Sequence, residues 1–134
     1  MFSFACLACV DQLVGYLEGD VWQGYALNAN VQAAALADGL SALPGFSLLY
    51  PTEINMVHIE MPVSVLEALQ ADGFGVAPRR IRPGDEESGL RYARLVTSWS
   101  TTEDDVQNFV DTAASHLAVF ADVVESSAGS MAKL

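Results

Sequence analysis

The spacing of apolar residues changes abruptly at Pro44-Gly45, and that change constrains the fold more than any other feature of the chain. Before it, Leu13, Leu17, Leu27, Val31, Ala35, Leu36, Leu40 and Leu43 recur at helical intervals. They predict a long helical region, with Gly19 and Gly24 as its weak points. Proline cannot continue the helical hydrogen bonds and glycine turns easily, so the pair ends that region. Short runs follow. Phe46 to Tyr50 and Asn55 to Met61 read as strands, the second with Met56, Val57, Ile59 and Met61 apolar. Pro62 suits a helix first turn, and Val65, Leu66 and Leu69 supply a short apolar face before Gly73. Phe74 to Ala77 and Leu90 to Thr97 are two further strand candidates. Between them, Pro78 to Gly89 sets Arg79, Arg80 and Arg82 beside Asp85, Glu86 and Glu87 in a mixed-charge, exposed connection.

The last helix has the clearest signal. Thr102 is a good N-cap, and Glu103, Asp104 and Asp105 occupy the first turn, where the helix dipole favours acids. Val106, Phe109, Val110, Ala113, Leu117, Phe120 and Val124 form one apolar stripe. Ser126 to Leu134 reads as a frayed tail. The order of elements predicts an α+β fold, an antiparallel or mixed sheet covered by helices. It divides into a helical region over 1–45, an α+β unit over 46–125 and a tail over 126–134.

Composition narrows the function classes. The chain has 134 residues, 51% apolar and 17% charged, which is a globular balance for one domain. Acidic residues outnumber basic ones 17 to 6, for a formal charge of −11. Nucleic acid is excluded as a partner, because backbone phosphates need Lys and Arg. Adhesion to an anionic membrane is excluded on the same ground. Met1 to Val10 is apolar but carries no Lys or Arg, and no A-x-A cleavage pattern follows. Asp11 stops the run well short of the roughly 20 residues of a membrane span. The expected location is cytoplasmic.

Candidate chemistry is sparse. Cys6 and Cys9 form a C-x-x-C, but a zinc site needs two more ligands at matching spacing, and His58 and His116 are isolated. The cysteines read as apolar helix residues, and the two histidines as a strand residue and a helix residue with satisfied or exposed rings. No Gly-rich phosphate loop is present. Arg94 stands out in the middle of the strand L-R-Y-A-R-L-V-T-S-W. By alternation it shares a face with Tyr92 and Val96, while Ala93, Leu95 and Thr97 point the other way. Burying a guanidinium unpaired is expensive, and its planar fork suits bidentate capture of a carboxylate. The alternative is a solvent-facing edge strand where arginine is merely tolerated.

Four stretches together resemble the carboxy-terminal part of threonine aldolases. They are N-A-N-V-Q-A-A-A-L-A-D-G-L (Asn28 to Leu40), P-G-F at 44–46, E-I-N-M-V-H-I-E-M-P at 53–62 and R-L-V-T-S-W at 94–99. That family belongs with the β-eliminating lyases of the aspartate-aminotransferase-type fold, which use pyridoxal phosphate. The likeness runs from about Gln12 to about Val124 and covers the last third or so of a family member. It implies the small domain of that fold, with Arg94 on the substrate's α-carboxylate. It also implies cleavage of a β-hydroxy-α-amino acid such as threonine to glycine and an aldehyde. In the common form of the motif His follows R-L-V-T; here Ser98 and Trp99 follow, which leaves the preferred substrate open. The cofactor's Schiff-base lysine has no counterpart, since the only lysine is Lys133, near the end and outside any matching motif. The resemblance therefore implies a fragment, inactive alone, whose large cofactor domain is missing or separately encoded, and a homo-oligomeric parent. The other reading is a non-catalytic, stand-alone binding or structural module that reuses the small-domain fold.

Overall fold

The computed structural model describes residues 4–78 and 89–131, with side chains described over 11–78 and 89–120. Helix α1 (Phe4–Leu17) leads through a single 3-10 turn, Glu18–Asp20, into α2 (Val21–Ser41). The break falls at Gly19, one of the two expected weak points, where φ is +68° and Asp20 follows at +58°. Two successive left-handed residues cannot continue a right-handed helix, and glycine and aspartate are among the few residue types that adopt this geometry readily. Gly24, the other expected weak point, is ordinary α-helix.

Beyond Gly45, at φ +81°, come β1 (Ser47–Leu48), β2 (Met56–Pro62), α3 (Val63–Ala71), β3 (Ala77–Pro78), β4 (Leu90–Val96) and α4 (Glu103–Met131). The strands form one sheet in the order β1-β2-β4-β3, and every pairing is antiparallel. β2 and β4 pair over seven residues, from Met56 opposite Val96 to Pro62 opposite Leu90. The outer strands are shorter than the sequence predicts because their neighbours are bonded elsewhere. Phe46 donates its N–H to the Leu43 carbonyl, Phe74 to that of Leu69, and Val76 to that of Phe74. Those turn bonds take groups that a longer ladder would need.

Alternation along the central pair sorts the two faces. Val57, Ile59, Met61 and Ala93 are fully buried and Leu95 nearly so, while Met56, His58, Glu60, Tyr92, Arg94 and Val96 lie on the other face, none of them buried. Helices α2, α3 and α4 cover the first face. Leu36 and Leu40 of α2, Val65, Leu66 and Leu69 of α3, and Val106 and Ala113 of α4 close the core. The buried face of α2 is largely alanine (Ala29, Ala33, Ala37), which lets α4 approach closely. A Cβ added at Gly39 would lie 2.9 Å from Val110 Cγ2.

The expected apolar stripe of the helical region before Pro44 is corrected here. Leu13, Leu17, Leu27, Val31 and Ala35 are exposed, because the face that meets the core runs through Ala29, Ala33, Leu36, Ala37 and Leu40. Residues 11–27 bury no side chain at all. In α4 the expected stripe holds through Phe120, with Phe109, Val110, Leu117 and Phe120 packed against the core. The helical backbone continues to Met131, past the Ser126 at which the sequence predicts a tail. The side chains of Cys6, Cys9 and Val124, like Arg79, Arg80, Arg82 and Lys133, lie outside the described residues. Among the described residues, no helix is long and apolar enough to cross a membrane.

Candidate functional site

Three polar side chains from the stretches singled out in the sequence clamp the end of β4. Thr97, the only buried polar residue among those described, donates its hydroxyl to the Ala29 carbonyl of α2 at 2.6 Å. Its backbone N–H donates to the Asn55 carbonyl at 3.1 Å, and the Asn55 carboxamide donates back to the Thr97 carbonyl at 2.9 Å. The Asn28 carboxamide donates to the carbonyls of Trp99 and Thr101, at 3.1 and 3.0 Å. Each bond satisfies a chain end that leaves regular structure, and together they fix where β4 stops and where α4 begins.

That clamp holds Arg94 three residues upstream. Arg94 sits opposite His58 of β2 on one side and Ala77 of β3 on the other. It is therefore on an interior strand rather than an edge, yet its side chain is exposed on the uncovered face. The edge-strand reading is therefore not met, although the guanidinium faces solvent as that reading expects. Among the described residues, no hydrogen bond or ion pair engages it.

The histidines are both satisfied. His58 Nδ1 lies 2.5 Å from the Tyr92 hydroxyl, and Tyr50 meets the imidazole edge-on at 5.5 Å between ring centres. His116 Nε2 lies 2.7 Å from Asp72 Oδ2, tying α4 to the end of α3.

Beside Arg94 a cleft of about 480 Å³ opens between β4, the 74–77 segment and the first turns of α4. Its apolar wall includes Leu36, Phe74, Val76, Leu95, Val106 and Phe109, and its polar lining includes Arg94, Asp105 and Asn108. Asp105 belongs to a capping box. Its Oδ2 accepts from the Thr102 N–H at 2.9 Å and the Thr102 hydroxyl at 2.7 Å, and its own N–H donates to that hydroxyl at 3.1 Å. The Thr102 backbone bond, with the hydroxyl bond second, holds the Asp105 carboxyl below its ordinary value. In the sequence Asp105 reads only as an acid favoured by the helix dipole, and Asn108 carries no signal of its own. Nothing in the spacing places either one at the cleft.

Pyridoxal phosphate is the cofactor that the resemblance implies, and the described residues do not fit it. The cofactor is held as an imine on a lysine amine. No lysine stands among the described residues, and Lys133 lies outside them.

No protein-family profile matches the chain. It is 38% identical over 88 residues to a low specificity L-threonine aldolase of Pseudomonas aeruginosa, a match that covers 66% of this chain and 23% of that protein. The chain thus spans about a quarter of the length of the curated relative. Among solved structures, the threonine aldolase of Leishmania major superposes with a TM-score of 0.55 at 27% identity, over 64% of this chain and 23% of that one. A NifS-like protein superposes at 0.60 with 20% identity, over 75% and 30%, a likeness of fold alone. Over about two-thirds of its length, then, the chain is a partial match to low specificity L-threonine aldolases, in the α+β fold of pyridoxal-phosphate-enzyme small domains.

Proposed function

We propose that the chain supplies the substrate-binding, small-domain part of a cytoplasmic pyridoxal-phosphate-dependent lyase of the threonine aldolase type. The reaction is cleavage of a β-hydroxy-α-amino acid such as threonine to glycine and an aldehyde. Arg94 is the residue that binds the substrate carboxylate. The observation that carries this reading is an arginine fork on an interior strand, exposed and unengaged among the described residues, above a strand end clamped by Thr97 and Asn55. A preorganised fork of this kind suits a planar carboxylate. A large domain, from the same protein or a separate chain, supplies the lysine and holds the cofactor, in an assembly that is homo-oligomeric. Alone, the chain leaves threonine unchanged.

The test is made in protein that carries both parts. Arg94→Ala should lower kcat/KM for threonine roughly 150-fold, the equivalent of about 3 kcal/mol for a lost charge-assisted pair. Arg94→Lys should recover only part of it, because a point charge cannot reproduce the fork. Unchanged kinetics in both variants would overturn the assignment. A chain that neither joins nor assists any cofactor-bearing domain would favour the other reading, a non-catalytic module.

A further inference from the structure

Tyr16 of α1, Tyr25 of α2 and Trp99, just past β4, line one cavity of about 430 Å³. The break at Gly19 and Asp20 makes this possible. Nine residues are two and a half helical turns, so an unbroken helix would point the two tyrosines to opposite faces. The Tyr25 and Trp99 rings touch, with centres 5.3 Å apart and planes inclined at 44°. Ala26, Ala29 and Val96 complete the apolar wall, and the volume falls within the roughly 300–1,000 Å³ of small-molecule sites. The side-chain donors at the rim are already engaged. The Asn55 carboxamide donates to the Thr97 carbonyl, the Thr97 hydroxyl to the Ala29 carbonyl, and the Ser98 hydroxyl pairs with that of Ser100 at 2.9 Å. No residue lining the cavity is charged, and Arg94, two residues before Val96, does not reach it. The turn that joins α1 to α2 carries Glu18 and Asp20, Glu53 precedes Asn55 by two residues, and the chain has no lysine or arginine before Arg79. The surroundings are therefore negative, as is the face of every aromatic ring.

We propose that this cavity binds a small, free quaternary ammonium compound, with the methylated cation held against Trp99, Tyr25 and Tyr16. A cation is drawn to ring faces, to tryptophan most strongly. A quaternary nitrogen has no N–H to satisfy, so the engaged polar groups at the rim take nothing from it, and its methyl groups rest on Ala26, Ala29 and Val96. A primary ammonium ion is excluded by the same lining, because it would give up its water without gaining acceptors. A neutral molecule of the same shape fits the space but forgoes the attraction of the rings. This goes beyond lyase chemistry, since it uses neither Arg94 nor a cofactor nor a large domain.

The experiment titrates the isotopically labelled full chain, followed by amide and indole NMR, with choline and three relatives. In 3,3-dimethylbutan-1-ol carbon replaces the quaternary nitrogen, ethanolamine lacks the methyl groups, and phosphocholine adds the anionic phosphate of a lipid headgroup. Choline should give saturable shifts at Ala26, Ala29, Ser98 and the Trp99 indole. It should bind at least about threefold more tightly than its neutral isostere, as a cation over exposed rings implies. Ethanolamine should give no saturable shifts there, and phosphocholine should bind more weakly than choline. Trp99→Leu, at an exposed position whose backbone carbonyl still accepts from Asn28, should bring choline down to the level of its isostere while the circular dichroism spectrum stays unchanged. If that variant fails to fold, Tyr16→Leu at an exposed position of α1 decides, with a reduced preference for choline expected. The proposal is overturned by an absence of saturable shifts, by the isostere or ethanolamine binding as tightly as choline, or by an undiminished preference in a folded variant. Phosphocholine binding as tightly as choline would assign the site to a headgroup and overturn the free ligand. No cofactor, threonine or large domain enters the titration, so its failure would leave the lyase reading standing, and the reverse also holds.

Discussion

Replacing Thr97 by valine tests whether the clamp at the end of β4 stabilises the fold through its hydroxyl or through its bulk. The residue is 3% exposed and its hydroxyl donates to the Ala29 carbonyl at 2.6 Å. Valine keeps the shape and removes the donor. The Ala29 carbonyl lies inside α2, where it also receives the N–H four residues on, so the substitution leaves no buried acceptor stranded. The cost is then the net value of one hydrogen bond, about 1 kcal/mol, and not the larger penalty of an orphaned group. For a chain of this size that corresponds to a fall of about 3–5 °C in Tm. Thr97→Ser keeps the donor and loses a methyl group, for about 0.8 kcal/mol. Thr97→Ala loses both and should show about the sum. Urea unfolding of the three variants, with unchanged m-values, measures each term. Valine as stable as threonine, with serine carrying the whole of the alanine loss, would refute the reasoning and assign the clamp to packing.

Two further outcomes follow from contacts elsewhere in the fold. Gly39→Ala should fail to deliver the roughly 1 kcal/mol that alanine normally gains over glycine in a helix, because its Cβ would meet the stiff Val110 side chain at 2.9 Å; the gain should reappear as a favourable coupling when Gly39→Ala is combined with Val110→Ala in a double-mutant cycle. Asp105 has a folded pKa lowered by the Thr102 bonds, so its stabilisation is present above the ordinary value of 3.8 and is lost as pH falls through the folded value. Asp105→Asn should therefore flatten that part of the acid limb of stability against pH, and an unchanged limb would count against the cap.

The sequence made the central architecture legible because period-two alternation and burial coincide there. Val57, Ile59 and Met61 point inward as the pattern requires, and Ala93 and Leu95 answer them. The helix α4 was legible for the same kind of reason, with a capping residue followed by an apolar stripe of constant pitch. The face of α2 was not. Its large residues Leu27 and Val31 point outward and its alanines inward, a choice made by how closely α4 approaches at Gly39 and not by hydrophobicity. Arg94 was recognisable by its neighbours in the chain, but its exposure depends on which face the helices cover, and alternation alone names two faces without saying which is dry. Asp105 and Asn108 were not recognisable as cleft residues at all, since tertiary packing sets α4 against the 74–77 segment, with which it shares no spacing.

The seven-residue pairing of β2 with β4 has a consequence for fidelity. A slip of β4 by one residue would send Arg94 inward, where Leu95 now sits, and would expose Ala93 and Leu95 to water. The same displacement that misplaces the arginine dismantles the core. Molecules presenting the guanidinium on the wrong face are thus removed from the folded population by their own instability. The sheet acts as a proofreading device in which presentation of one charged side chain is checked against the burial of the two apolar ones that flank it. Batch-to-batch heterogeneity in ligand recognition should then track the unfolded fraction, and no folded but mispresented species should accumulate.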